Sequence, residues 1–189
     1  MRIVAGKHRG RRLAAPPGEH TRPTADKGRE ALFNILIHAD FRADGLSPLI
    51  GARVLDAFCG TGALGLEAIS RGAAHAVLME KDKDVLELAR RNAERLGVDH
   101  HVTTVAADAT RPGPTKVLAS LAFLDPPYGK GLVENALPAL ARQGWLAPGA
   151  LVVAEIGVDE SFTLPEGFAL LRESRQGAAK FVFLRYRED

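Results

Sequence analysis

Between Arg53 and Ala106 the chain alternates short apolar runs with longer amphipathic stretches. Arg53 to Phe58 reads as a strand, Ala63 to Arg71 as a helix and His75 to Glu80 as a strand; Lys83 to Leu96, ending at Gly97, is a helix, and Val102 to Ala106 a third strand. Alternation of this kind predicts a doubly wound α/β sheet with parallel strands. The pattern continues with a fourth strand over Ala122 to Asp125, a helix over Leu132 to Arg142 broken near Pro138, and a fifth strand over Leu151 to Glu155. Phe168 to Glu173 and Phe181 to Tyr186 are expected to close the chain as a hairpin across Gly177.

Ahead of the sheet lies a different kind of sequence. Arg2 to Ala5 and Arg9 to Ala14 can pair as a hairpin across Gly6-Lys7-His8. After Pro16-Pro17-Gly18 a helix is predicted from Ala25 to His38, with Thr24 as its N-cap and Ala31, Leu32, Ile35 and Leu36 as its apolar stripe. These readings divide the chain into a basic extension, 1–40, and a main domain, 41–189. The formal net charge of +2 hides the contrast: residues 1–30 hold eight basic side chains against three acidic ones, so the remainder is net acidic. A basic arm on an acidic body suits a polyanionic partner.

The rest of the composition narrows the class. No apolar run approaches the ~20 residues of a membrane span, and the first residues lack a signal-peptide core. One cysteine, Cys59, excludes an internal disulfide and fits a reducing cytoplasm. The histidines and Cys59 lack ligand spacing, so no metal site is expected.

The first strand runs into Asp56-Ala57-Phe58-Cys59-Gly60-Thr61-Gly62 and opens a helix, which predicts a ligand loop. Gly60, Gly62 and Gly65 also fit the dinucleotide spacing. Asp56, however, puts a carboxylate where a pyrophosphate would lie, which suits a cation such as the amino group of S-adenosylmethionine. Glu80, ending the second strand, can take ribose hydroxyls, and Asp108 can accept from an adenine amino group. Phe58, Thr61, Lys81 and Ala109 complete the candidate cofactor set. Cys59 sits inside the glycine loop and reads as a small buried residue, not a nucleophile.

Phe123-Leu124-Asp125-Pro126-Pro127-Tyr128 ends the fourth strand, because proline removes a ladder donor. Asp125 then lies at the carboxyl end of a strand, where open α/β sheets bind ligands. An acid, a free Pro126 carbonyl and an aromatic ring suit a flat base with an exocyclic amine. Asp125 and Pro126 accept its two N–H bonds, Pro127 stiffens the turn, and Tyr128 stacks on the ring.

Asp56 through Ala73, with Asp125-Pro126-Pro127-Tyr128, resembles the bacterial small-subunit ribosomal RNA guanine-N2 methyltransferases of the RsmD type. So do Gly6-Lys7-His8-Arg9-Gly10-Arg11-Arg12-Leu13, Thr21 to Thr24 and Arg29 to Leu36. The resemblance spans nearly the whole chain, with its most specific part at the amino terminus. It implies a seven-stranded Rossmann-like class I methyltransferase fold, S-adenosylmethionine as donor, and a guanine of 16S rRNA as target. RNA contacts are then expected from Lys7, Arg9, Arg11, Arg12, Arg22 and Thr24. Gly28, where that family's helix carries an apolar residue, and Gln176, where a tyrosine is expected, depart from the pattern. An adenine-N6 methyltransferase and a non-catalytic RNA-binding assembly factor are the rival readings.

Overall fold

The computed structural model describes residues 1–16, 23–42 and 45–187, with backbone alone at residues 23–25. Arg22 lies outside the described residues. Its elements run α1 (Pro23–His38), β1 (Arg53–Asp56), α2 (Ala63–Ser70), β2 (His75–Glu80), α3 (Lys83–Leu96) and β3 (Val102–Ala106). They continue with β4 (Ala119–Leu124), α4 (Leu132–Arg142), β5 (Leu146–Gly157), β6 (Phe168–Gln176) and β7 (Ala179–Tyr186). All seven strands join one sheet in the order β3-β2-β1-β4-β5-β7-β6. Strands β1 to β5 are parallel, and β7 runs antiparallel between β5 and β6. Among the described residues no helix is long and apolar enough to cross a membrane.

Where the sequence carries explicit stop signals, elements begin and end as predicted. At the start of α3, Asp82 accepts from the Asp84 and Val85 N–H groups at 2.9 and 3.2 Å, and Gly97 caps its other end. Four expectations need correction. First, α1 starts at Pro23, which needs no donor in a first turn, so Thr24 lies inside the helix and is not its N-cap; the Thr24 side chain is outside the described residues. Second, α4 runs unbroken through Pro138, with Val133, Ala136 and Leu137 buried before it and Ala139 and Leu140 after it. Packing on both sides offsets the ~3 kcal/mol that an interior proline costs. Third, the amino-terminal hairpin is a single antiparallel bridge, Arg2 to Arg12, with Ile3 N–H donating to the Arg11 carbonyl at 2.9 Å. Fourth, β5 begins early, at Leu146, because Pro148-Gly149 is absorbed as an irregularity between the Ala119–Leu146 and Leu121–Leu151 pairs.

Side chains alternate across the sheet, so each face has its own core. Leu55, Ala122 and Val152 pack with Val133, Leu137 and Leu140 of α4. On the other face Val54, Phe123, Val153 and Phe183 pack with Leu32, Phe33 and Leu36 of α1, with α2 and α3, and with Ile3 and Leu13. The amino-terminal segment is therefore packed into the core, not an arm held away from the body.

Candidate active site

The face carrying α1 ends in acids. Its alternating positions read Val54-x-Asp56 on β1, Leu121-x-Phe123-x-Asp125 on and after β4, and Leu151-x-Val153-x-Glu155 on β5. Asp56 pairs with Phe123, and Leu124 pairs with Ala154, so Asp125 and Glu155 are the next neighbours along the two strands. Three carboxylates thus emerge side by side at the carboxyl ends of three adjacent strands. They line a cavity of about 460 Å³, together with Phe58, Gly60 and Thr61 of the glycine loop and Tyr128. Met1, Gly28, Arg29 and Leu32 cover it from the amino-terminal side, and Gln176 and Phe181 border it from the last hairpin. A volume of that size is in the range of small-molecule sites.

On the loop side, a Cβ at Gly65 would stand 2.4 Å from the Leu78 side chain, so only glycine lets α2 pack this close to β2. Its N–H donates to Asp56 Oδ2 at 2.9 Å. Asp56 is buried, and its Oδ1 has no partner among the described residues. Burial pushes its carboxyl up to about 7, the Gly65 bond opposes this, and the Glu80 charge adds to it. Glu80 braces the loop: it accepts from Gly60 N–H at 3.2 Å, Lys81 N–H at 2.9 Å and Asp82 N–H at 3.1 Å. Asp108 accepts from the Thr110 N–H and hydroxyl, which hold its carboxyl below its usual value. Ala109 is buried beside it. Asp56, Phe58, Gly60 and Thr61 reach the cavity, whereas Gly62, Glu80, Lys81, Asp108 and Ala109 do not line it. Cys59 is buried, and burial raises its thiol far above a reactive range.

On the β4–β5 side the polar groups are open. Neither the Asp125 carboxylate nor the Pro126 carbonyl accepts a hydrogen bond among the described residues. Asp125 and Tyr128 line the cavity, Pro126 is buried behind them, and Pro127 faces outward. Asp125 is reached by solvent through the cavity mouth yet lies deep in protein mass. Desolvation first, and then the charges of Glu155 and Asp56, hold it well above the ordinary carboxylate range. Burial raises Glu155 too, opposed by the hydrogen bond that the Tyr128 hydroxyl donates to its Oε1. Glu160 fastens the turn, accepting from Gly129 N–H and Gly157 N–H, each at 3.1 Å.

Sequence reasoning missed Glu155, Glu160 and the amino-terminal cover. The apolar-x-apolar-x-acid pattern shared by β4 and β5 is the signal that could have found Glu155. The cover is held by Glu67 of α2, fully buried, which accepts from the Val4 and Ala5 N–H groups at 2.8 and 2.9 Å. Glu67 also pairs with Arg71 at 2.8 Å and with Arg29 at 3.6 Å. At Gly6 a Cβ would sit 1.9 Å from the Ser70 carbonyl oxygen, so the chain turns hard against the end of α2. Buried Asn92 exchanges hydrogen bonds with Ala14 and donates to the Thr61 carbonyl, tying the cover to the glycine loop. Of the expected RNA contacts, Lys7, Arg9 and Arg12 are exposed. Arg11 is exposed too, but its guanidinium donates to the Arg95 and Leu96 carbonyls, where a cation complements the end of α3.

This strand order, with its antiparallel seventh strand and acids at the carboxyl ends, defines a class I methyltransferase fold. The chain is 35% identical over 188 residues to ribosomal RNA small subunit methyltransferase D of Escherichia coli (strain K12), covering 96% of this chain and 87% of that protein. A solved putative methyltransferase, yhhF from Escherichia coli, superposes with a TM-score of 0.81 at 34% identity, over 100% of this chain and 99% of that one. An RNA methyltransferase from Salinibacter ruber, solved with S-adenosyl-L-homocysteine, shares the fold at TM-score 0.57 and 22% identity, over 85% and 92% of the two chains. The chain belongs to the family described as Conserved hypothetical protein 95, whose model matches residues 1–185.

Proposed function

We propose that the protein transfers a methyl group from S-adenosylmethionine to the exocyclic N2 of a guanine in 16S ribosomal RNA. The observation that carries this reading is the Asp125 carboxylate, unpartnered among the described residues, on the wall of one cavity with the equally unpartnered Asp56 Oδ1, and directly followed by the Pro126 carbonyl, which accepts no hydrogen bond among those residues. The family's named rRNA methyltransferases support the substrate class. The donor, when bound, supplies an electrophilic methyl group on a sulfonium centre. Asp56 Oδ1 suits its ammonium group, and Phe58, Gly60 and Thr61 would hold the remainder. Glu80 and Asp108 act from outside the cavity wall, with Lys81 and Ala109.

Asp125 and the Pro126 carbonyl accept the two N–H bonds of the target amine. That geometry favours a pyramidal nitrogen, which turns its lone pair out of the ring and toward the methyl group. On methylation the target nitrogen would become cationic and give up a proton, which Asp125, as its hydrogen-bond acceptor, would take. A carboxylate held above its ordinary range is the better base for that step. A cationic ligand beside Asp56 offsets the repulsion among the acids and keeps Asp125 ionised. Tyr128 stacks on the base, which must be unpaired or flipped out to arrive.

Lys7, Arg9 and Arg12 would contact the flanking phosphates, with Arg22 and Thr24 nearby in sequence. Their turn lies against Ser70, one length of α2 from the glycine loop, or about 12 Å. The reading places the enzyme in the cytoplasm, acting on the small subunit or its assembly intermediates. Incubation of small subunits from a strain lacking this enzyme with isotopically labelled S-adenosylmethionine tests it. Mass spectrometry of the digested RNA should show labelled N2-methylguanosine at one position; labelled N6-methyladenosine, or no label, would overturn it.

A further inference from the structure

Methyl transfer as proposed leaves Glu155 without a task, although it stands next to Asp125 on the same face of the sheet. Its Oε1 takes the Tyr128 hydroxyl, and its Oε2 has no hydrogen-bond partner among the described residues. With Asp125 it makes this wall a row of acceptors, next to the Pro126 carbonyl, which accepts no hydrogen bond among the described residues. An ionised carboxylate accepts and cannot donate. Guanine is the base whose amine is flanked by a further donor, the ring N1–H. Adenine and cytosine flank theirs with a ring nitrogen lone pair, which a carboxylate repels.

We infer that Glu155 Oε2 accepts the N1–H of the target guanine and that this contact selects guanine over adenine and cytosine. The inference rests on the guanine-N2 reading above. The Tyr128 hydroxyl fixes the Glu155 carboxylate, so Tyr128 serves the base twice, as stacking surface and as a brace. A site built around a donor on its substrate rejects analogues lacking it by factors that reach about 10⁴, whereas stacking alone discriminates little among bases.

The test uses RNA carrying one altered base at the position that mass spectrometry identifies as methylated. 2-Aminopurine keeps the 2-amino group but presents a lone pair at N1, and 6-thioguanine keeps both donors. Single-turnover methylation by the wild-type enzyme should be at least a hundredfold slower on 2-aminopurine and within tenfold of normal on 6-thioguanine. Glu155→Gln, whose amide can donate to N1, should lose at least tenfold on guanine and narrow the guanine to 2-aminopurine ratio at least tenfold. Equal wild-type rates on guanine and 2-aminopurine would overturn the inference, as would a folded Glu155→Gln enzyme with an unchanged ratio. Melting temperature and cofactor affinity establish folding. If Glu155→Gln does not fold, the wild-type comparison and Tyr128→Phe, expected to narrow the ratio less, decide it. Absence of any N2-methylguanosine from the wild-type reaction is a separate outcome and removes the guanine reading itself.

Discussion

After β2 and β3 the carboxylates are closed on nearby donors, whereas at the ends of β1 and β4 they are left open, Asp56 at one oxygen and Asp125 at both among the described residues. Glu80 takes three backbone N–H groups and Asp108 two donors from Thr110, and both act as braces. Asp125, by contrast, takes none and faces the charges of Glu155 and Asp56. Carboxylates crowded without counter-ions oppose folding, and a stable protein keeps them together only where something else gains. The difference separates the part of the site that holds its own shape from the part that waits for a ligand.

The largest effect should come from loosening the cover that joins the halves. Glu67→Ala leaves Arg71 buried without its carboxylate and Arg29 with Asp26 alone, and breaking such a pair costs about 3–5 kcal/mol. Denaturant unfolding should show that loss, and cofactor affinity should fall with it because Met1 and Arg29 leave the cavity wall. Unchanged stability would mean that the cover is held by its apolar contacts alone.

A smaller change should strike binding and spare the fold. Asp56→Ala removes a charged hydrogen-bond partner and should weaken S-adenosylmethionine binding by about 1–3 kcal/mol. Calorimetry should find no NAD binding to either protein, and NAD binding to the wild type would refute the role given to Asp56.

The crowded acids should also appear in the pH dependence of stability. Asp56 and Asp125 hold protons more tightly in the folded chain than in the unfolded one. Their contribution is complete below the unfolded value near 4 and is lost as pH rises through the folded values, about 7 for Asp56. The melting temperature of the ligand-free protein should therefore fall between about pH 5 and pH 8, and Asp56→Asn should flatten the slope. Cofactor binding near pH 7 should release protons, measurable in buffers of different ionisation heat. A melting temperature that rises over this window would contradict the repulsion argued here.

The smallest effect concerns the basic turn. Replacing Lys7, Arg9 and Arg12 with Ala should weaken RNA binding and reduce its salt slope by roughly one unit per lost phosphate contact. Cofactor affinity should stay as it was. Arg11→Ala should lower stability instead, since its guanidinium holds the end of α3.

Much of this was legible in the sequence, and the gaps have physical causes. The extents of β2, α3 and β3 were readable because caps and periodicity agree, as at Asp82 and Gly97. Asp56 and Asp125 were readable as acids at strand ends, the one ahead of the glycine loop and the other directly before two prolines. Pro138 misled because local propensity yields to packing on both sides of it. Glu155 was missed because an acid ending a strand is ordinary until register sets it beside Asp125. The docking of Val4, Ala5 and Ala14 onto Glu67 and Asn92 joins residues more than 60 positions apart, which no local pattern encodes.

The central claim is that Asp125 acts in the methyl-transfer step and does not serve the fold. Single-turnover methylation by Asp125→Ala at saturating RNA and S-adenosylmethionine, beside its melting temperature, tests that claim directly. The account predicts a rate at least a hundredfold lower, or about 2.7 kcal/mol of barrier, in a protein that melts no lower than the wild type. Asp125→Asn should fall between the two. A near-normal rate from Asp125→Ala, or a lost rate that follows a lost fold, would contradict it.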